Sequence, residues 1–179
     1  IHDNLGVSVV YVTHDQSEAL TMSNRVAVFD DGVIQQLAAP DVLYEEPVNA
    51  FVAYFIGENN RLLGTVREVT GEHCMVELDG GGGVVKALAV NIGGVGSRTT
   101  LSLRPERVVL SPAEGAVPNI LSGTVQELIY LGDHIRTRMT VSGNDEFIVK
   151  VPNAHGHASL KAGDTVQVGW VAEDSRALD

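Results

Sequence analysis

The pattern of hydrophobic residues changes once along the chain, at Glu58-Asn59-Asn60, and this change constrains the fold more than any other feature. Before it, short apolar runs alternate with segments of helical spacing. After it, short alternating segments are separated by Gly, Asn, Asp and Pro, which is typical of a small β-barrel or sandwich. The sequence therefore predicts a mainly β protein in two parts, residues 1–58 and residues 59–179.

Composition limits the class of protein. The 179 residues are 44% hydrophobic and 20% charged, which is typical of globular domains. The longest apolar run, Ala50 to Ile56, is far shorter than the ~20 residues that a membrane-spanning helix needs. A net charge of -11 disfavours contact with a phosphate backbone, so no nucleic-acid partner is expected. Cys74 is the single cysteine and no export leader is visible, so we expect a cytoplasmic protein.

The first part contains an apolar run, Ser8 to Thr13, whose β-branched residues predict a strand buried on both faces of a parallel sheet. His14 follows at the carboxyl end of this strand, where open α/β sheets bind their ligands. The next residues have the spacing of a capping box, in which Asp15 accepts from a helix amide and Glu18 reaches back to the cap. We therefore expect a helix here, with structural capping roles for Gln16 and Glu18.

Turn and cap residues predict the remaining elements of the first part. Asp31-Gly32 indicates a two-residue hairpin turn. Pro40 suits the first turn of a helix, Asn49 can cap a second helix, and Gly57 can end it. The predicted elements are strands at Arg25–Asp30 and Val33–Leu37 and helices at Asp41–Glu45 and Ala50–Ile56.

The second part repeats itself. Gly64–Val69 is similar to Gly123–Leu128, and each half later contains a strand that ends in an acidic turn, at Leu101–Glu106 and at Val166–Glu173. Two arrangements follow from this pattern. Either the chain holds two copies of one β-unit, or two sets of strands interleave in one barrel.

Two glycine-rich segments, Gly80–Gly83 and Gly93–Gly96, raise the question of a phosphate site. A glycine-rich loop cradles phosphate when a strand leads into it and a helix leads out. Both segments are flanked by predicted strands, so we expect hairpin turns.

Four other groups are weaker candidates. Zinc needs three or four ligands in a defined geometry, so His134, His155 and His157 are expected in solvated loops and no metal site is predicted. Cys74 lies in an alternating strand and is expected to pack as a small apolar residue. The segment Arg104–Glu106 can bind an anion or form an ion pair at a strand end, and we favour the structural role.

The segment Thr13-His14-Asp15, with an apolar strand before it, resembles the switch-histidine loop of ABC-transporter ATPase subunits. The strands on either side of Asp31-Gly32 match the strand pair that follows this loop in the family. Ala39–Gly57 resembles the end of the nucleotide-binding domain in sugar- and polyamine-type importers, and Glu58-Asn59-Asn60 is most similar to the spermidine/putrescine branch.

The second part resembles the family's regulatory extension, the transport-associated OB domain. Leu103–Glu106 is the most recognisable motif, and Tyr130–Asp133 and Trp170–Asp174 are further matches, although the last lacks the usual Pro before its acidic residue. The resemblance implies an OB-like β-barrel regulatory domain at 59–179. It follows a 1–58 remnant of an α/β P-loop nucleotide-binding domain.

The resemblance also implies a function. His14 would contact the γ-phosphate of ATP and help to position the attacking water in an intact subunit that uses ATP and Mg²⁺. Its partners would be transmembrane permease subunits, a substrate-binding protein and a second copy joined through the regulatory domain, at the inner face of the cell membrane. The chain begins with Ile1 and contains no phosphate loop, no Asp-Glu strand end and no Leu-Ser-Gly-Gly-Gln segment. We therefore expect a piece of a longer protein that, alone, binds no cofactor and is no ATPase.

Several alternatives stay open. Polyamines are the expected substrates, and sugars, glycerol phosphate or iron are the alternatives within the same subfamily. A chain of another class would be a free-standing OB-type module that binds an oxyanion, which a tungstate or molybdate titration would detect. A third possibility is a purely structural dimerisation piece.

Overall fold

The computed structural model describes residues 6–153 and 160–179, and the chain divides into two compact units, Ile1–Pro47 and Val48–Asp179. The helix that precedes the β region thus groups with that region. The predicted end of the nucleotide-binding domain at residue 58 stays a prediction, because compactness within this chain does not test where a domain of a longer protein ends.

The first unit contains two helices and one β-hairpin among its described residues. They are helix α1 (Gln16–Met22), strands β1 (Val26–Asp30) and β2 (Val33–Ala38), and helix α2 (Pro40–Glu45). Asp31 and Gly32 have φ values of 46° and 76°, as a tight two-residue hairpin turn requires. Pro40 occupies the first turn of α2. The predicted hairpin and both helices are confirmed.

The strand predicted at Ser8–Thr13 is not formed in this chain, so that prediction is wrong. These residues pair with no other strand in the described part of the chain, and the side chains of Val10 and Val12 are 92% and 90% exposed. A strand buried on both faces needs a strand at each edge and helices above and below, because its backbone groups and both rows of side chains must be covered. The described residues of this unit supply neither.

The second unit contains one helix and ten strands among its described residues. Helix α3 (Ala50–Phe55) begins after Asn49, whose Oδ1 accepts from the amide of Val52 at 2.9 Å, and Gly57 follows with a φ of 82°. The strands are β3 (Asn60–Thr70), β4 (His73–Leu78), β5 (Val84–Ala89), β6 (Arg98–Leu103), β7 (Val109–Leu110), β8 (Asn119–Tyr130), β9 (His134–Val141), β10 (Asn144–Pro152), β11 (Thr165–Trp170) and β12 (Ser175–Leu178). Short 3-10 turns at Pro105–Arg107 and Ala172–Asp174 precede β7 and β12.

The ten strands form two copies of one β-unit. The first copy, β3 to β6, lies in a closed barrel with the order β12-β5-β4-β3-β6, and the second copy, β8 to β11, lies in a sheet with the order β10-β9-β8-β11-β7. The strand after each copy is exchanged, because β7 pairs with β11 and β12 pairs with both β5 and β6. Both arrangements that the sequence left open therefore hold in part: there are two copies, and their strands interleave.

The repeated sequence corresponds to a repeated structure. The pairing of β3 with β4 shifts just after Val66, and the pairing of β8 with β9 shifts just after Val125, which marks a β-bulge at the same place in each copy. The amide of Val66 donates to the carbonyl of Ser97 at 3.0 Å, and the amide of Val125 donates to the carbonyl of Asp164 at 2.8 Å. The same loop therefore closes each copy over the same bulge.

Two buried asparagines join the copies. Asn60 begins β3, and its side-chain amide donates to the carbonyl of Ile148 while its oxygen accepts from the amide of Ile148, both at 2.7 Å. Asn119 begins β8 and makes the same pair of bonds with Lys86, at 2.9 and 2.8 Å. Each side chain thus replaces a missing backbone neighbour at the edge of the opposite copy.

A single hydrophobic core runs through both copies. Its fully buried side chains include Val66 and Leu101 from the first copy and Met139, Phe147 and Trp170 from the second. Because one core serves both, separating the copies would expose large apolar surfaces on each.

Candidate functional site

His14 lies in the loop before helix α1, and its side chain is exposed. Asp15 is the N-cap of this helix, and its Oδ1 accepts from the amide of Glu18 at 3.1 Å. The predicted cap is therefore confirmed, and the capped helix holds one end of the loop that presents His14.

The carboxylate of Glu18 does not make the bond that the capping box predicts. Its Oε2 accepts from the hydroxyl of Tyr11 and from Oγ1 of Thr13, both at 3.0 Å. The amide of Asp15, which Glu18 was expected to reach, donates instead to Oγ1 of Thr13 at 3.0 Å. The hydrogen bond to Glu18 also raises the pKa of Tyr11, because the carboxylate accepts the phenolic proton and repels a phenolate. The predicted capping role of the Glu18 side chain is wrong.

An exposed imidazole in this position has a defined chemical capacity. One ring nitrogen can donate to a phosphate oxygen, and the imidazole can also hold a nearby water molecule. The structure brings Tyr11, Thr13, Asp15 and Glu18 together around the loop that carries His14.

The glycine-rich segments are turns between strands, as predicted. Gly80–Gly83 joins β4 to β5, and Gly93–Gly96 lies between β5 and β6. Any side chain at Gly80 or Gly82 would collide with Ser142, whose hydroxyl donates to the carbonyl of Asp79 at 2.8 Å. These glycines therefore allow the β4–β5 turn of the first copy to pack against the β9–β10 turn of the second.

Arg104 has the structural role that we favoured. It is 6% exposed, and one of its guanidinium nitrogens donates to the carbonyls of Ala53 and Glu58, each at 3.1 Å. The carbonyls near the end of helix α3 are among those that an α-helix leaves unsatisfied. Arg104 therefore fixes the end of this helix against the start of the barrel.

A charged cluster around Glu58 was missed by the sequence analysis. Arg136 bonds to Oε1 of Glu58 at 2.7 Å through Nε, and Lys150 lies 3.1 Å from Oε2. Burial raises the pKa of Glu58, but the hydrogen bonds from Arg136 and Lys150 outweigh it, and the pKa is lowered. The three residues are far apart in the sequence, so no local pattern signals this cluster.

The remaining candidates from the sequence are the histidines and Cys74. Among residues 6–153 and 160–179, no group of three metal-binding side chains is found. His134 is the first residue of β9 and not part of a loop, so the prediction of a solvated loop is wrong for this histidine. It bonds through Nδ1 to Asp133 at 2.8 Å, which lowers the pKa of Asp133, and Cys74 is buried, which raises the pKa of its thiol. The histidines His155 and His157 lie outside the described residues. In the described part of the chain, no helix is long and apolar enough to cross a membrane.

Comparison with known proteins shows what this chain is similar to. Residues 101–178 match the TOBE domain family. The spermidine/putrescine import ATP-binding protein PotA of Rubrobacter xylanophilus is 37% identical over 176 residues, which cover 96% of this chain and 45% of that protein. The protein of the same name from Thermotoga maritima is 36% identical and aligns over 98% of this chain and 49% of its own length.

Among solved structures, the molybdate-bound form of the cytoplasmic molybdate-binding protein ModG matches this chain with a TM-score of 0.56. The two are 21% identical, and the match covers 65% of this chain and 92% of that chain. At this identity the likeness shows the fold alone, and it confirms the predicted mainly β, OB-like architecture.

The chain is therefore similar to ATP-binding proteins of ABC importers, and its residues 101–178 match the TOBE domain family. It matches the C-terminal part of the spermidine/putrescine import ATP-binding proteins, and it spans about half the length of the curated relatives it matches. The resemblance predicted from Thr13-His14-Asp15 and Leu103–Glu106 is confirmed.

Proposed function

We propose that this chain is the C-terminal part of the ATP-hydrolysing subunit of a polyamine importer, and that His14 is its switch histidine. The observation that carries the proposal is the exposed His14 in a Thr-His-Asp loop before a capped helix. Similarity to spermidine/putrescine import ATP-binding proteins over nearly the whole chain supports the substrate class.

In this proposal His14 donates a hydrogen bond to the γ-phosphate and holds the attacking water in line with it. ATP supplies the phosphoryl group that is transferred, and Mg²⁺ is required in the intact subunit. An exposed imidazole fits this contact, because it needs no rearrangement of a packed core to reach a phosphate oxygen. The loop that cradles the phosphates and the carboxylate for Mg²⁺ are proposed to lie in the remainder of the longer protein.

The assembly belongs to the same proposal. The intact subunit would form a homodimer through the β region, bind transmembrane permease subunits and work with a substrate-binding protein. It would lie at the cytoplasmic face of the membrane. The β region is proposed to hold the dimer and to regulate it, without a catalytic task of its own. Its buried polar residues Arg104, Asn60 and Asn119 make hydrogen bonds that stabilise the fold.

The test is a His14→Ala substitution in the full-length subunit. We expect nucleotide binding to be largely kept and ATP turnover to fall by ~10²-fold or more, as when one preorganised contact to a transition state is removed. The matched control is His73→Ala, which removes a histidine from the second unit and should leave turnover unchanged. Wild-type turnover in His14→Ala would refute the assignment.

A further inference from the structure

We propose that Glu18 is a positioning residue for His14: its carboxylate ties Tyr11 and Thr13 to helix α1 and so sets the backbone from which His14 projects. This inference rests on the proposed function of His14 and deepens it. It assigns the positioning of the switch histidine to the side chain of Glu18, which takes no part in the N-cap hydrogen bond.

Three hydrogen bonds close a ring around the backbone of His14. The Asp15 amide donates to Oγ1 of Thr13, Oγ1 of Thr13 donates to Oε2 of Glu18, and the Glu18 amide donates to Oδ1 of Asp15. His14 is the one residue between the two neighbours, Thr13 and Asp15, that this ring fixes. A ring of three hydrogen bonds restricts the loop more than the N-cap bond alone.

The cap of helix α1 uses the side chain of Asp15 and not that of Glu18. The cap bond runs from the backbone amide of Glu18 to Asp15, so any residue except proline can donate it at position 18. The Glu18 carboxylate is free of that task and accepts two hydroxyl groups from the residues before His14. Hydrogen bonds to an ionised acceptor are about twice as strong as neutral ones, which suits an exposed loop.

Tyr11 provides a second contact between the Glu18 carboxylate and the residues before His14. Its hydroxyl shares the same Glu18 oxygen with Thr13, although Tyr11 lies seven residues from Glu18 in the sequence. One carboxylate oxygen therefore accepts hydrogen bonds from two residues of the segment before His14. Misplacing a catalytic group by ~1 Å costs about 10²-fold in rate, so loosening this segment is expected to lower turnover and leave nucleotide affinity unchanged.

The experiment uses the full-length subunit with Glu18→Ala, Glu18→Gln and, as a matched control in the same helical turn, Ser17→Ala. We expect Glu18→Ala to lower kcat by about 10-fold or more with KM for ATP within about twofold of wild type. Glu18→Gln keeps an acceptor oxygen for both hydroxyls, so it should restore most of kcat. Ser17→Ala should be unchanged.

A double substitution separates positioning from an independent role. If Glu18 acts through His14, Glu18→Ala should cause no further loss of kcat in a His14→Ala background. An equal loss in both backgrounds, or no loss in Glu18→Ala alone, would overturn the proposal.

A measurement that does not depend on ATP turnover distinguishes failure of the Glu18 proposal from failure of the proposed function of His14. In the present chain, the Tyr11 hydroxyl titration followed by NMR should move toward lower pH in Glu18→Ala, because the acceptor is removed. The His14 ring signals should shift in Glu18→Ala and return in Glu18→Gln. If these shifts occur while His14→Ala keeps wild-type turnover, the ring exists and the switch-histidine assignment is wrong. If the shifts do not occur, Glu18 does not position His14.

Discussion

The two β copies start from the same sequence pattern and finish differently. In the first copy, β12 pairs with β5 and with β6, and the barrel closes. In the second copy, β7 is two residues long and, in the described part of the chain, pairs with β11 alone. Each copy is therefore completed by the strand that follows the other copy in the chain, so neither is a complete unit made from its own residues.

Equivalent positions in the two copies carry different chemistry. Cys74 faces Val69 across β3–β4, and Thr137 faces Leu128 at the same place in β8–β9, so a buried thiol and a buried hydroxyl occupy matching sites. In the turns before the exchanged strands, Arg107 lies 3.9 Å from Asp174, which occupies the matching position. The two copies therefore share their backbone pairing, while side chains at equivalent positions differ.

The largest loss of stability is expected for alanine at one of the two repeated glycines. A Cβ at Gly64 would lie 2.5 Å from Cγ1 of Val76 and 2.6 Å from the carbonyl oxygen of Glu77, whereas at Gly123 its nearest atoms are side-chain carbons of Val141 and Met139 at 2.8 and 2.9 Å. The backbone of Glu77 can shift less easily than the terminal methyl group of Met139. Gly64→Ala should therefore lower the free energy of unfolding by about 3 kcal/mol and Gly123→Ala by about 1 kcal/mol. Urea unfolding of the full chain measures both. Equal losses would contradict the difference.

A smaller difference is expected for the two bridging asparagines. Asn60→Ala and Asn119→Ala each remove two hydrogen bonds to the backbone of the opposite copy, but the carbonyl of Lys86 keeps a hydrogen bond from Oγ of Ser175 at 3.3 Å. Ile148 is buried, whereas Lys86 is exposed, so water can replace the lost partner more easily at Lys86. We expect losses of about 2–3 kcal/mol for Asn60→Ala and about 1 kcal/mol for Asn119→Ala in the same unfolding assay. A larger loss at Asn119 would show that exposure does not govern the cost.

Substitutions of the buried thiol and of the buried hydroxyl should change the stability in opposite directions. Oγ1 of Thr137 is buried and has no hydrogen-bond partner within the described ranges of the chain. Thr137→Val removes this polar atom at nearly constant shape and should raise stability by about 1 kcal/mol, whereas Cys74→Ser places a hydroxyl in the equivalent apolar site and should lower it by about 1 kcal/mol. Thermal unfolding checks both signs. Destabilisation by Thr137→Val would mean that the hydroxyl is satisfied.

The smallest effect concerns pH. The pKa of Glu58 is lowered in the folded state, so its ionised form stabilises the fold above its unfolded-state pKa, and this contribution is lost as the pH falls through the folded-state pKa. Glu58→Gln should therefore lower stability at neutral pH and flatten the acid side of the stability profile. Glu173→Gln is the control: its own backbone and then His73 lower the pKa of Glu173, but its side chain is mostly exposed, so solvent screens the interaction. Profiles that change equally in both variants would contradict this account.

Local sequence patterns predicted the elements whose causes are local. The turn at Asp31-Gly32 and the caps at Asp15 and Asn49 formed as expected, because each depends on residues within one turn of the chain. The repeat between Gly64–Val69 and Gly123–Leu128 indicated two β-units, and both carry the same bulge. The prediction for Ser8–Thr13 failed because burial of a strand depends on neighbours and not on its own composition.

The candidate site divides in the same way. The sequence by itself determined that His14 stands between Thr13 and Asp15 ahead of a helix, since the spacing of polar residues selects the N-cap. The direction of the Glu18 carboxylate was decided by the tertiary structure, because two hydroxyl donors compete for it with one backbone amide. The exchange of β7 and β12 was also decided there, since strand pairing depends on which edges meet in the folded chain.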